Sequence, residues 1–152
     1  MGTLEQTAYE LAVRALAQQE QSLTEIRART GTLLAASSLI ASFLGAQAIG
    51  RNGLNVWIVL ALAAFAVSVV MSIYVLQPKA GLTFALDAPG TYEALYEVRE
   101  DEEEYTRRLV YWIQGFRQGN QPTMQRLTGI FTLASIALLF EIGLLATGLA
   151  VG

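Results

Sequence analysis

Two stretches, Thr30 to Ile49 and Val56 to Leu76, each run for about 20 residues without a charge, and as helices rising ~1.5 Å per residue each would reach roughly 30 Å, the thickness of a bilayer core. A soluble helix of that length keeps a polar side; these are apolar all round. A third stretch, Leu127 to Val151, repeats the pattern with one interruption, Glu141 near its middle. A chain with these segments has few folds open to it. In hydrocarbon every backbone N–H and C=O must be satisfied within its own segment, so each stretch is expected to be a spanning helix. The expected fold is all-α: an integral membrane protein with three transmembrane helices and about two cytoplasmic helices. Its expected segments are a cytoplasmic amphipathic helix (1–29), a two-span hairpin (30–76), a cytoplasmic loop and helix (77–126) and a third span (127–152).

Composition agrees. Of 152 residues 53% are hydrophobic and 15% charged, against about 25% charged in soluble domains. Cysteine and histidine are absent, which excludes disulfides, thiolate nucleophiles, zinc sites and imidazole bases. The formal charge of −3 implies no partner. The polar, acidic start does not read as a signal peptide, and no lipid-anchor motif is expected.

Thr3 to Arg29 reads as an amphipathic helix, opened by a capping box of Thr3 and Gln6. Leu4, Ala8, Leu11, Ala12, Ala15, Leu16, Leu23 and Ile26 are expected to share one face, with Glu5, Glu10, Arg14, Gln18, Gln21 and Glu25 off it. Packing in a cytoplasmic bundle is the expectation. A membrane-surface helix is the alternative, although such helices favour Lys and Arg on the polar face. Nothing separates this helix from the first span before Gly31, so one long helix can enter the membrane.

Small residues repeat every four positions in the spans. Ser37, Ala41 and Gly45 form one set in the first span, and Ser38, Ser42 and Ala46 another; Ala64, Ser68 and Ser72 match them in the second. Lipid supplies no hydrophobic drive between helices, so close approach over small residues must hold them together, and a homo-oligomer is expected. Gly50 to Gly53 reads as the hairpin turn. Trp57 and Tyr74 lie near the ends of the second span, where amphipathic rings suit the interface. Of the 10 basic residues only Arg51 lies in the hairpin turn. The N-terminus and central segment should therefore be cytoplasmic and the C-terminus on the opposite side of a cell (inner) membrane.

The central segment starts with a loop broken by Pro78, Gly81, Pro89 and Gly90. Thr91 can cap a helix to about Phe116, with Tyr92, Leu95, Tyr96, Leu109, Val110, Ile113 and Phe116 as its stripe. Arg99 to Glu104 reads as a solvated face, with Glu103–Arg107 and Glu104–Arg108 as i,i+4 pairs. Gly115, Gly119, Asn120 and Pro122 are expected to break or bend the chain, with Pro122 in the first turn of the third span.

No phosphate loop, nucleophile elbow or metal-ligand spacing is present, so no enzyme activity, catalytic residue, metal site or cofactor is expected. The soluble segments lack the basic stripe that nucleic acid requires. Glu141 is the residue with chemistry to explain, because a carboxylate at mid-membrane costs at least ~2.5–3.5 kcal/mol. Ala134, Ala137 and Gly148 share its face, so it should point into a helix interface. Ser38, Ser42 and Ser68 are expected near its depth, and no Arg or Lys is. Either a protonated Glu141 bonds to these serines or to a neighbouring subunit, or it lines a water-filled path.

The layout also resembles a known type. A helix carrying Gln18-Gln19-Glu20 runs through Arg27-Ala28-Arg29-Thr30-Gly31-Thr32-Leu33-Leu34-Ala35-Ala36 into a tight hairpin, followed by a cytoplasmic helix and a last span. This is similar to small bacterial membrane effectors of the SLATT and Pycsar-effector (PycTM-like) type, in which an "aRtGtLLAa"-like junction enters the first span. The resemblance implies an oligomeric effector that permeabilises the inner membrane after a signal, possible triggers being a nucleotide or a cytoplasmic protein partner, in antiphage defence. It identifies no ligand-binding residue. A non-conducting accessory or structural subunit that binds a protein through its cytoplasmic helices is the second expectation, and a transporter the third.

Overall fold

The structure is a computed structural model and describes residues 4–53, 55–84, 93 and 102–151. Among these residues the fold is all-helical: α1 (Leu4–Ile40), a π-helical segment (Ala41–Gly45), α2 (Ala46–Asn52), α3 (Val56–Leu76) and α4 (Glu102–Val151). Three helices are long and apolar enough to cross a membrane, those over Leu4–Arg51, Val56–Leu76 and Glu103–Val151. The expected caps at Thr3 and Thr91, and the stripe positions Tyr92, Leu95 and Tyr96, lie outside the described residues.

One long helix does lead into the first apolar stretch, without interruption at Gly31. The backbone stays right-handed helical through the π segment: Ile40 and Ala46 at its two ends both have φ −61°. This segment reconciles the small-residue pattern with the helix period. An α-helix would place Gly45 about 80° round from Ser37. The wider π turn brings Gly45 back, so Ser37, Gly45 and Ala48 are all buried while Ala41 is only half-buried.

The turn is later than expected. Gly50 and Arg51 belong to α2, which runs to Asn52, and α3 begins at Val56. Gly53 takes φ 65° there, a conformation that favours glycine. Its N–H closes on the Ile49 carbonyl at 3.0 Å, and the Asn55 side chain caps α3 by accepting from the Ile58 N–H at 3.0 Å.

The expected break before the last span is absent. Gly115, Gly119 and Pro122 all lie inside α4. Proline in a helix interior costs ~3 kcal/mol and glycine ~1 kcal/mol relative to alanine. Burial offsets this: α4 carries a heptad series, Ile113, Asn120, Leu127, Ala134, Glu141 and Gly148, every member buried. Ending the helix at residue 116 would take Asn120 and Leu127 out of register with Ile113. Pro122 lies on the exposed side, where its ring displaces no core. Pro122→Ala should therefore raise stability by about 1–2 kcal/mol, less than the full penalty because proline also restricts the unfolded chain. A thermal melt of the purified protein followed by circular dichroism checks this.

The chain divides into two compact units. One comprises Met1–Thr24 and Lys79–Gln125. Its buried apolar residues are Leu16 and Leu23 of α1 with Leu109 and Ile113 of α4. The expected stripe on α1 holds only in part, since Leu4 and Leu11 are 82% and 60% exposed. The step from Leu11 to Leu16 turns the face by about 140°, so the two leucine pairs cannot share a side. Arg107 meets Glu104 at 3.4 Å, an i,i+3 pair in place of the expected partner Glu103. Burial, and to a lesser extent Tyr9, pushes the Tyr105 phenol above its ordinary pKa, so this group stays neutral through the physiological range.

The second unit comprises Glu25–Pro78 and Arg126–Gly152. Its apolar core is Ala48, Ile58, Ala61, Val75, Leu127, Ala134 and Leu145. α3 and α4 approach closely at Gly148, where an added Cβ would lie 3.3 Å from Ile58 Cγ1. Tyr74 lies under the Arg126 guanidinium, 5.5 Å from the ring centre.

Candidate functional site

Two polar groups sit in the buried heptad of α4, one in each unit. In the unit with the apolar stretches it is Glu141, fully enclosed. Its neighbours on the heptad are small, Ala134 and Gly148, which lets the other helices come near enough to enclose it. On α1 the corresponding series is Leu16, Leu23, Thr30 and Ser37, all buried. The two series meet where the Ser37 hydroxyl donates to Glu141 Oε2 at 2.7 Å. Among the described residues Glu141 Oε1 has no partner.

The serines sort differently from the expectation. Ser38 and Ser42 do not reach Glu141. They are exposed, and their hydroxyls donate to the carbonyls of Leu34 (2.9 Å) and Ser38 (2.8 Å). The cause is angular: Ser38 sits about 100° round α1 from Ser37, which is on the inner series. Ser68 is buried but donates to the Ala134 carbonyl at 3.2 Å, two turns along α4 from Glu141. Ser72 is buried with no partner for its hydroxyl among the described residues, and Ala64 is half-buried. The small residues Ser37, Gly45, Ser68 and Ser72 therefore serve packing within the chain. Ser38, Ser42 and Ala46 remain on an open face.

The level of Glu141 on α3 follows from two contacts. Ser68 meets Ala134, and Ile58 meets Gly148. Midway between them is residue 63, between buried Ala61 and half-buried Ala64. Among the described residues the Ser37 hydroxyl is the one hydrogen-bond partner of Glu141. No Lys or Arg occurs within the three apolar stretches, so no cation of this unit lies at its depth. The Ser37–Glu141 hydrogen bond is short and satisfies one of the two carboxyl oxygens.

The second polar group, Asn120, was read from sequence only as a helix breaker. It is 1% exposed and organises its own unit. The Thr83 N–H donates to Asn120 Oδ1 at 3.1 Å, and Asn120 Nδ2 donates to the Thr83 carbonyl at 2.8 Å and to Gln19 Oε1 at 3.4 Å. Gln19 in turn donates to the Arg117 carbonyl at 3.3 Å. Asn120 so reads the backbone of one loop residue as a strand partner would, and ties it to both helices. A shallow polar groove lined by Ala15, Gln18, Gln19, Ser22, Arg117 and Gln121 lies in the same unit.

Compared with protein-family models, curated proteins and solved structures, the chain matches none.

Proposed function

We propose that the protein is a multi-pass inner-membrane protein whose copies associate into a channel-like effector assembly, with the N-terminus cytoplasmic and the C-terminus on the opposite side. The observation that carries this reading is the division of small residues on the first span. One set is spent inside the protomer, while Ser38, Ser42 and Ala46 stay on an open face with both hydroxyls folded onto their own backbone. Such a face presents little side-chain bulk and no unsatisfied donor to a neighbouring helix, which suits association in lipid. Glu141 supplies the one acidic group within the spans. It is sealed in the protomer, so conduction requires helices to move apart around it. Membrane permeabilisation in antiphage defence, released by a nucleotide or a protein signal, is the role that the junction at Arg27 to Ala36 suggests.

Ion flux across liposomes holding the pure protein tests this directly. With Glu141→Gln, flux or its cation preference should fall while expression and oligomer size stay unchanged, because glutamine keeps the shape and loses the titratable proton. Unchanged flux in a protein that conducts would remove Glu141 from the path. Silence under all conditions favours the second reading, an accessory subunit that binds a protein partner. The amide-lined groove around Gln18, Gln19 and Gln121 is the observation on its side.

A further inference from the structure

At one end of the unit that holds the apolar stretches are two arginines that no carboxylate answers among the described residues. Its carboxylate side chains are Glu25 and Glu141 alone. Glu25 lies 3.6 Å from Arg29, and Glu141 is bonded to Ser37. Arg27, Arg51 and Arg126 are left without a carboxylate partner among the described residues, and Arg27 and Arg126 stand at the same end of the helices. Arg27 is also half-buried, and its Nε is enclosed with no acceptor. A donor held this way loses its water and gains no bond in return.

The register of the helices places a second orphaned group at the same level. The Ser37–Glu141 bond aligns α1 with α4, and the Ser68–Ala134 bond aligns α3 with α4. Two turns back from Ser37 and Glu141 are Thr30 and Ala134, so Thr30, Ala134 and Ser68 share a level, and all three are fully buried. One turn further in the same direction lie Arg27 on α1 and Ser72 on the oppositely directed α3. The Ser72 hydroxyl is enclosed and has no partner among the described residues. Arg126, a turn beyond on α4, stacks on Tyr74 of the same turn of α3 as Ser72.

We propose that Arg27, Ser72 and Arg126 form a site for the phosphate of an anionic membrane phospholipid. The proposal rests on the reading that these helices sit in a bilayer with this end cytoplasmic. Arg27 and Arg126 each stand immediately before an apolar stretch, at the depth of headgroup phosphates. A guanidinium offers a planar fork that matches a phosphate, and a serine hydroxyl adds a donor from another helix. The charge balance selects the lipid: two unanswered cations favour a headgroup of net negative charge over a zwitterionic one. Bound there, the lipid links α1, α3 and α4 at one end.

The test is native mass spectrometry of the detergent-purified full chain with dioleoylphosphatidylglycerol or dioleoylphosphatidylcholine, repeated with soluble glycerol phosphate as competitor. The wild type should retain the anionic lipid about tenfold more than the zwitterionic one, the ratio that ~1.4 kcal/mol of charge-assisted bonding gives. Glycerol phosphate should not displace it, because the acyl chains contribute to binding. Arg27→Gln removes no bond within the chain and should abolish the preference; Ser72→Ala should weaken it, and Arg14→Gln should leave it intact. Equal retention of both lipids, or an unchanged preference in Arg27→Gln, overturns the proposal. A chain that stays dispersed without detergent and takes up neither lipid overturns the membrane reading as well, whereas one that needs detergent but shows no preference overturns this site alone.

Discussion

Asn120→Ala is expected to lower stability by about 2–4 kcal/mol, the loss of three hydrogen bonds at about 1 kcal/mol each together with the desolvation of the Thr83 groups they satisfied. Asn120→Asp separates the two halves of the effect. It keeps the acceptor for the Thr83 N–H but turns a buried carboxylate oxygen against the Thr83 carbonyl and Gln19 Oε1, so at neutral pH it should be at least as destabilising as alanine, and less so once acid protonates it. Thermal unfolding gives the size, and hydrogen exchange gives the place: protection of the Thr83 amide should be lost first in the alanine variant. A melt unchanged by Asn120→Ala would mean that the loop is held by something else.

The second large effect concerns the sign of charge at position 141. Glu141→Lys places an ammonium in an enclosed site where, among the described residues, the Ser37 hydroxyl is the one hydrogen-bond partner. In the bilayer setting we propose, a cation at that depth costs ~2.5–3.5 kcal/mol or more, enough to leave the last helix poorly inserted and the protein degraded. Glu141→Gln should stay within about 0.5 kcal/mol of wild type, since an amide can still accept from Ser37. Ser37→Ala should cost about 0.6–1.7 kcal/mol, the range of hydrogen bonds between membrane helices. That cost should largely vanish in a Glu141→Leu background, where there is no carboxyl to leave unpaired. Steric-trap or denaturant unfolding in mild detergent measures all four. A lysine variant as stable as wild type would show that Glu141 is open to water.

The helices were legible where hydrophobicity alone decides them. α3 spans Val56–Leu76 as the uncharged stretch does, and α1 enters its apolar stretch without a break. The ends of helices were less legible. Glycine and proline between residues 115 and 122 are local signals for a stop, yet α4 continues because burial at Ile113, Asn120 and Leu127 rewards a continuous register. The signal that predicts this is the heptad spacing from Ile113 to Gly148, which polar Asn120 and Glu141 hide from a hydrophobicity reading. Glu141 was recognisable as the group that needs a partner, and depth alone suggested serines. Choosing Ser37 over Ser38 and Ser42 required the phase of α1, which the series Leu16, Leu23, Thr30, Ser37 contains. The π segment was not legible, because no residue type in Ala41–Gly45 demands it; it answers the spacing between Ser37 and Gly45.

If, as we propose, the three long apolar helices cross a bilayer, the N-terminal and central segments lie on one side of it. The sequence contains no cysteine, so single cysteines report position without a background. Thr7, Gly50 and Ala80 are exposed positions outside the apolar stretches, and Val151 is the exposed last residue of the third. Each is replaced by cysteine in turn, and a membrane-impermeant maleimide is applied to intact bacterial spheroplasts and then to lysed ones. The account predicts labelling of Gly50→Cys and Val151→Cys in intact spheroplasts, and of Thr7→Cys and Ala80→Cys only after lysis. Labelling of Val151→Cys on the same side as Thr7→Cys would contradict it.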